Sequence, residues 1–287
     1  MKEINPPIVD DIQELQLLAD NSKLGSYPDL LNEYIIFRDQ YNDYIAKNGD
    51  PWRVAPMNIS NDLKKALIYH YDHAPKGRLK FIKSSRYTLS PTFCPMCGGF
   101  GNGTMDHYLP KTNYPEYSFF SKNLIPACNC NSLRGTAVKG AASPARAIHP
   151  YFDDFLDERL YQAVFRGPFE TPKISIEIID NHHPKVGILQ FHLDEVIVND
   201  ATQGWFDKYW VDLSLRAHNI LELVLPVFPN VVTEEELLVA IERYRNSKDK
   251  EHDTPNNWLS IFYTGLMRDL VRVEKLAIKI NSSRQNL

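Results

Sequence analysis

All four cysteines of the chain, Cys94, Cys97, Cys128 and Cys130, fall between positions 94 and 130. Cys94-x-x-Cys97 has the form of a knuckle, in which one backbone turn brings two thiolates to a single ion. Cys128-x-Cys130 is a second and tighter pair. Four thiolates at about 2.3 Å satisfy tetrahedral Zn²⁺, and such an ion can fix a segment too small and polar to fold alone. The alternative is four buried cysteines with no shared partner. A disulfide framework fits poorly, because it would scatter its cysteines through the chain. Between the two pairs lies a second candidate, Asp106 followed directly by His107. Hydrolysis of a phosphodiester needs a base to deprotonate water and a divalent cation to polarise the phosphate and steady the leaving oxygen. A carboxylate beside an imidazole supplies both residue types. Neighbouring side chains of an extended strand point to opposite faces, so the pair can share one task only at a frayed strand end. Taken alone, Asp-His reads equally well as an ordinary, partly buried histidine.

The whole segment reads CPMCGGFGNGTMDHYLPKTNYPEYSFFSKNLIPACNCNSLRG. Its knuckle, then DHYLPK, then NLIPAC, then CN follow in an order that resembles the HNH endonucleases, a ββα-metal (His-Me finger) family, over roughly residues 90 to 140. The resemblance implies a role for each matching position. Asp106 would be the first ligand of a catalytic Mg²⁺ or Mn²⁺, and His107 the general base. Asn123 would be the middle asparagine, which holds the loop between strands and orients the histidine. Asn131, on the helix, would give the second metal ligand. The spacing from Asn123 to Asn131 is one residue shorter than is usual in the family, so Asn129 and Ser132 are alternatives to Asn131. Lys111, Arg134 and Lys139 are the candidates for phosphate contact. Further on, AIHPYFDD resembles a bacterial anti-phage subgroup, the Septu-type and retron-associated HNH nucleases. That likeness implies an ATPase as partner protein, and the HNH resemblance as a whole implies DNA as substrate.

Charge supports a polyanion surface. Residues 74 to 146 carry ten basic side chains against Asp106 and Glu116, a net of +8, which leaves −12 for the rest of a chain whose total is −4. One basic block in an acidic chain is the footprint of nucleic-acid contact; a solvated face is the bland alternative. With 43% hydrophobic and 24% charged residues, the composition is that of a globular protein rather than a disordered one. Apolar runs such as 223–228 are too short to cross a bilayer, and MKEINPPIVDD has no signal-peptide pattern, so a cytoplasmic location is expected, with no membrane partner.

These residues need elements to position them, and the pattern predicts an α+β chain. A helical N-terminal scaffold is expected over 1–87, with helices over 10–20, from Pro28 through DLLNEYIIFRDQYNDYIA, and from a Ser60 or Asn61 cap. Residues 88–147 form the zinc-braced HNH core, with a helix near Asn131. Residues 148–287 form an α+β region suited to docking a partner. There, strands are expected at 160–165, 173–179 and 187–193, and helices follow over 202–225, after the Thr233/Glu236 capping box, and over 255–280. Other candidates read as structural. His149 and Asp153 suit a packed turn, and His182-His183 a loop. His70 and His73 suit a surface or interface, and Trp205, Phe206, Tyr209 and Trp210 a core. The glycines from 98 to 103 read as a flexible loop. A rival class is a non-catalytic, zinc-braced nucleic-acid or protein-binding module; a transcription-related zinc protein is another.

Overall fold

The computed structural model describes residues 1–285 apart from 89, 102, 222, 223 and 227–229. The chain is α+β and divides into two compact bodies. One comprises Glu3–Met96 with Phe100–Asp154; the other comprises Met1–Lys2, Cys97–Gly99 and Phe155–Leu287.

The first body begins with helices α1 (Asp11–Ala19), α2 (Asp29–Asn32), α3 (Tyr34–Ala46), α4 (Asn61–Asp72) and α5 (Lys80–Lys83). Asp10 caps α1 by accepting from the Gln13 amide, and Ser60 caps α4 by accepting from Leu63. The single helix expected after Pro28 is two, because Glu33 leaves helical geometry between α2 and α3. Two faces explain the break: Leu30 is buried from α2, whereas α3 buries Phe37, Tyr41 and Tyr44 and leaves Ile35 and Ile36 in solvent. Tyr41 stacks on Phe120 with centroids 4.2 Å apart, and Tyr44 meets the edge of Tyr117 at 4.9 Å. Asp11 anchors this packing from α1, accepting from the Ser121 amide and hydroxyl and from Lys122 at 2.7 Å. His70 is buried against Ser26 rather than lying on a surface, since its face of α4 points inward. The body closes with an antiparallel hairpin, β1 (Thr104–His107) against β2 (Leu124–Ala127), and the short helix α6 (Cys130–Arg134).

The second body is built on β3 (Tyr161–Arg166) paired antiparallel with β4 (Lys173–Ile178). The third expected strand is helix α7 (Val186–His192). Its buried residues Ile188, Leu189 and His192 have helical spacing, which overrides the brief alternation. Helix α8 (Asp200–Leu221) bends at Arg216, and α9 (Glu234–His252) starts at the expected Thr233/Glu236 capping box. The expected end of α8 near residue 225 and most of the 223–228 run lie outside the described residues. The single helix expected over 255–280 is split into α10 (Trp258–Leu266) and α11 (Leu270–Arg284), because Asp269 caps a new helix by accepting from Arg272. Helix α10 is buried along its whole length and packs on β3. Gly265 permits this: a Cβ there would fall 1.8 Å from the Ala163 carbonyl oxygen. Phe206 and Trp210 are buried in this core as expected, with Trp210 donating to the Phe169 carbonyl. No helix among the described residues is long and apolar enough to cross a membrane.

Candidate functional site

The four cysteine sulfurs lie within 4.8 Å of one another, with Cys94 and Cys130 at 3.6 Å. Tetrahedral Zn–S bonds of about 2.3 Å require sulfurs about 3.8 Å apart, so the cluster has the size of a metal site. Amides face three of the sulfurs: Gly99 N–H toward Cys97, Cys128 N–H toward Cys94, and Cys130 N–H toward Cys128. Donors aimed at sulfur favour the thiolate, the form that binds metal. The tighter Cys-x-Cys pair closes the set because Cys130 opens α6.

Asp106 and His107 are the last two residues of β1, opposite Ile125 and Leu124. Both are nearly buried, at 5% and 9% exposure. His107 Nε2 lies 2.9 Å from the Ser118 carbonyl oxygen. A carbonyl only accepts, so Nε2 carries the proton and Nδ1 keeps its lone pair. Burial pushes the ring's pKa down to about 4, opposed by the Ser118 bond and helped by the Lys111 charge. The imidazole is therefore neutral near pH 7. It meets the Tyr71 ring of α4 in a T-shaped contact, with centroids 4.3 Å apart. Lys111 lies 4.7 Å above that same Tyr71 ring and pairs with Asp72 at 2.8 Å.

Asp106 has other neighbours. Its Oδ1 accepts from Arg134 of α6 at 2.7 Å, and the same guanidinium donates to the His107 carbonyl and the Ala137 carbonyl. Its Oδ2 is buried with no hydrogen-bond partner among the described residues. The Asp106 and His107 side chains thus turn to different partners and share no hydrogen bond. They are joined instead through Arg134, which binds the carboxylate of one and the backbone of the other. Asn131 is half-buried and donates to the Met105 carbonyl at 3.3 Å, whereas Asn129 and Ser132 are exposed. Of the three alternatives, Asn131 is the one whose side chain reaches β1.

Asn123 is fully buried just before β2. Its Oδ1 accepts from Leu109 N–H at 2.8 Å and from the Tyr44 hydroxyl at 3.1 Å; its Nδ2 donates to the Leu109 and Tyr117 carbonyls. One side chain therefore closes the loop that carries Ser118 and sets the carbonyl that orients His107. We expect Asn123→Ala to cost about 2–4 kcal/mol, because it leaves several buried partners unsatisfied. Denaturant unfolding checks this, and a loss below about 0.5 kcal/mol would contradict the role.

His149 is buried and structural. Its Nδ1 accepts from Tyr151 N–H and its Nε2 faces the Tyr44 hydroxyl, while Asp153 binds Arg146 and the His149 amide. His183 pairs with Glu158 in a loop. The basic block is matched in part by carboxylates that its charge count left out. Lys122 pairs with Asp11, Arg78 with Glu14 and Lys111 with Asp72. Arg134 is buried, and Lys139 donates to the Pro51 carbonyl over the Trp52 ring. Sequence reasoning missed Tyr71 and Ser118. No local signal marks either one, since both act through long-range packing.

No family model matches the sequence, and no solved structure matches it. The chain is 42% identical over 147 residues to "Protein ea31" of Escherichia phage lambda, a match taking in 48% of this chain and 50% of that protein. The chain spans about half the length of the curated relative it matches.

Proposed function

We propose that the chain is a metal-dependent nuclease of the HNH type, with β1, β2 and α6 as a ββα-metal core and His107 as its general base. The observation that carries this reading is the 2.9 Å approach of His107 Nε2 to the Ser118 carbonyl oxygen, which makes Nε2 the donor and leaves Nδ1 able to accept a proton. Asp106 and Asn131 are the residues that would hold a divalent cation. The partnerless Asp106 Oδ2 fits that role, because a buried carboxylate oxygen costs free energy until a cation or donor completes it. Mg²⁺ or Mn²⁺ suits such oxygen ligands and would supply polarisation of the phosphate and charge for the leaving oxygen. His107 Nδ1 takes the proton of the attacking water, Asn123 holds the loop that fixes the ring, and Arg134 steadies Asp106. The cysteine cluster holds a separate, structural Zn²⁺. DNA is the substrate and the bacterial cytoplasm the place of action, in anti-phage defence with a partner ATPase, as the likeness of AIHPYFDD to that subgroup implies.

The Arg134–Asp106 ion pair favours a second reading, a zinc-braced binding module in which Asp106 is structural. Plasmid nicking by the purified chain across several divalent metals, with zinc quantified, separates the two. The nuclease cuts with added Mg²⁺ or Mn²⁺ and stops with EDTA. Binding without cleavage under every metal would leave the module.

A further inference from the structure

We propose that a cationic cleft on the first body binds the backbone of a single-stranded nucleic acid, with Tyr87 stacking on a base. This takes its purpose from the nuclease reading and names the substrate class for it. Leu79 adopts a left-handed conformation that starts α5, and α5 runs directly into a widened π-helical turn over Ser84–Thr88. Lys80 and Lys83 are thereby set one turn apart, with Arg86 and Tyr87 following. With Tyr71 and Arg78 they line a cleft of about 420 Å³.

The charge in this cleft is uneven. Arg78 has Glu14 at 3.6 Å, and Asp72, the one carboxylate of the lining, has Lys111 at 2.8 Å. Lys80 and Lys83 are exposed and pair with no carboxylate among the described residues. Arg86 donates to the Tyr71 hydroxyl, while its Nε is buried without a partner among them. Tyr87 is 61% exposed, with the Arg86 guanidinium 6.0 Å from its ring centroid. A positive groove with an exposed aromatic ring is the arrangement that tracks a phosphate backbone and stacks unpaired bases. A duplex keeps its bases in its own stack and offers such a ring nothing. Tyr71 links the cleft to the chemistry, since the ring that receives Arg86 also packs against the imidazole of His107.

Fluorescence anisotropy of the full chain, with a labelled single-stranded oligonucleotide and its duplex and no added divalent metal, tests this. Single strand should bind at least tenfold more tightly than duplex. Lys80→Ala/Lys83→Ala should weaken it and flatten the log K against log salt slope by about 0.7 per phosphate contact removed. Tyr87→Ala should weaken single-strand binding several-fold without changing that slope. Preference for duplex, or unchanged single-strand affinity in both cleft variants, overturns the cleft even if the wild type nicks plasmid. Binding that follows the cleft variants in a chain that cuts nothing upholds the cleft and rejects the nuclease.

Discussion

His107→Ala should lower cleavage by about 10²–10⁴-fold, the contribution of a positioned general acid or base, while oligonucleotide affinity and zinc content stay at wild-type values. The ring has one nitrogen engaged by Ser118 and one with a free lone pair, and burial keeps it uncharged near neutral pH. Truncation removes the proton acceptor and leaves the Ser118 carbonyl without its donor, so thermal unfolding must be measured beside activity. Added imidazole gives a readout that a purely structural histidine would not: a small base entering the truncated site should restore part of the rate. Full activity in His107→Ala would reject the mechanism. Loss of activity without rescue, accompanied by loss of fold, would assign His107 to packing.

Cys94→Ser/Cys97→Ser should abolish stoichiometric zinc and destabilise the chain far more than any single change at the hairpin. Structural zinc contributes about 10–16 kcal/mol of apparent binding free energy in small domains, comparable to or larger than the roughly 5–15 kcal/mol stability of a whole domain. Cys94, Cys97 and Cys130 are buried, and β1, β2 and α6 run between and out of the two pairs, so the hairpin is what the ion would hold. Zinc measured per chain, with unfolding followed with and without a strong chelator, checks it. A metal-free wild type as stable as the loaded one, or serine variants that melt with it, would show that the sulfurs serve packing alone.

What the sequence disclosed follows the range of the forces involved. Caps are local, so the Thr233/Glu236 box was readable from residue types three positions apart, and the cap of α4 was narrowed to Ser60 or Asn61. The cysteine cluster was readable because thiols at knuckle spacing have few other uses. Periodicity failed where a segment is short: Gly187–Leu193 alternates for a few residues, yet its buried positions are those of a helix. The charge count overstated the unpaired charge for a different reason. Asp11, Glu14 and Asp72 lie outside the window that defined the basic block, and the fold brings them to Lys122, Arg78 and Lys111. Asp106 and His107 were nameable, but their partners were not. Ser118, Tyr71 and Arg134 reach them across loops and helices whose packing no local pattern encodes.

On the nuclease reading, the guanidinium on Asp106 would give the chain two different relations to metal. A buried charge stripped of its partner destabilises a fold by about 3–5 kcal/mol. Arg134 already pairs with Asp106 from within, so on that reading the hairpin would keep a counter-charge whether or not a hard cation is bound. The sulfurs are faced by backbone amides instead. A cation at Asp106 would then come and go with supply, while an ion held by the four sulfurs would belong to the architecture of the hairpin.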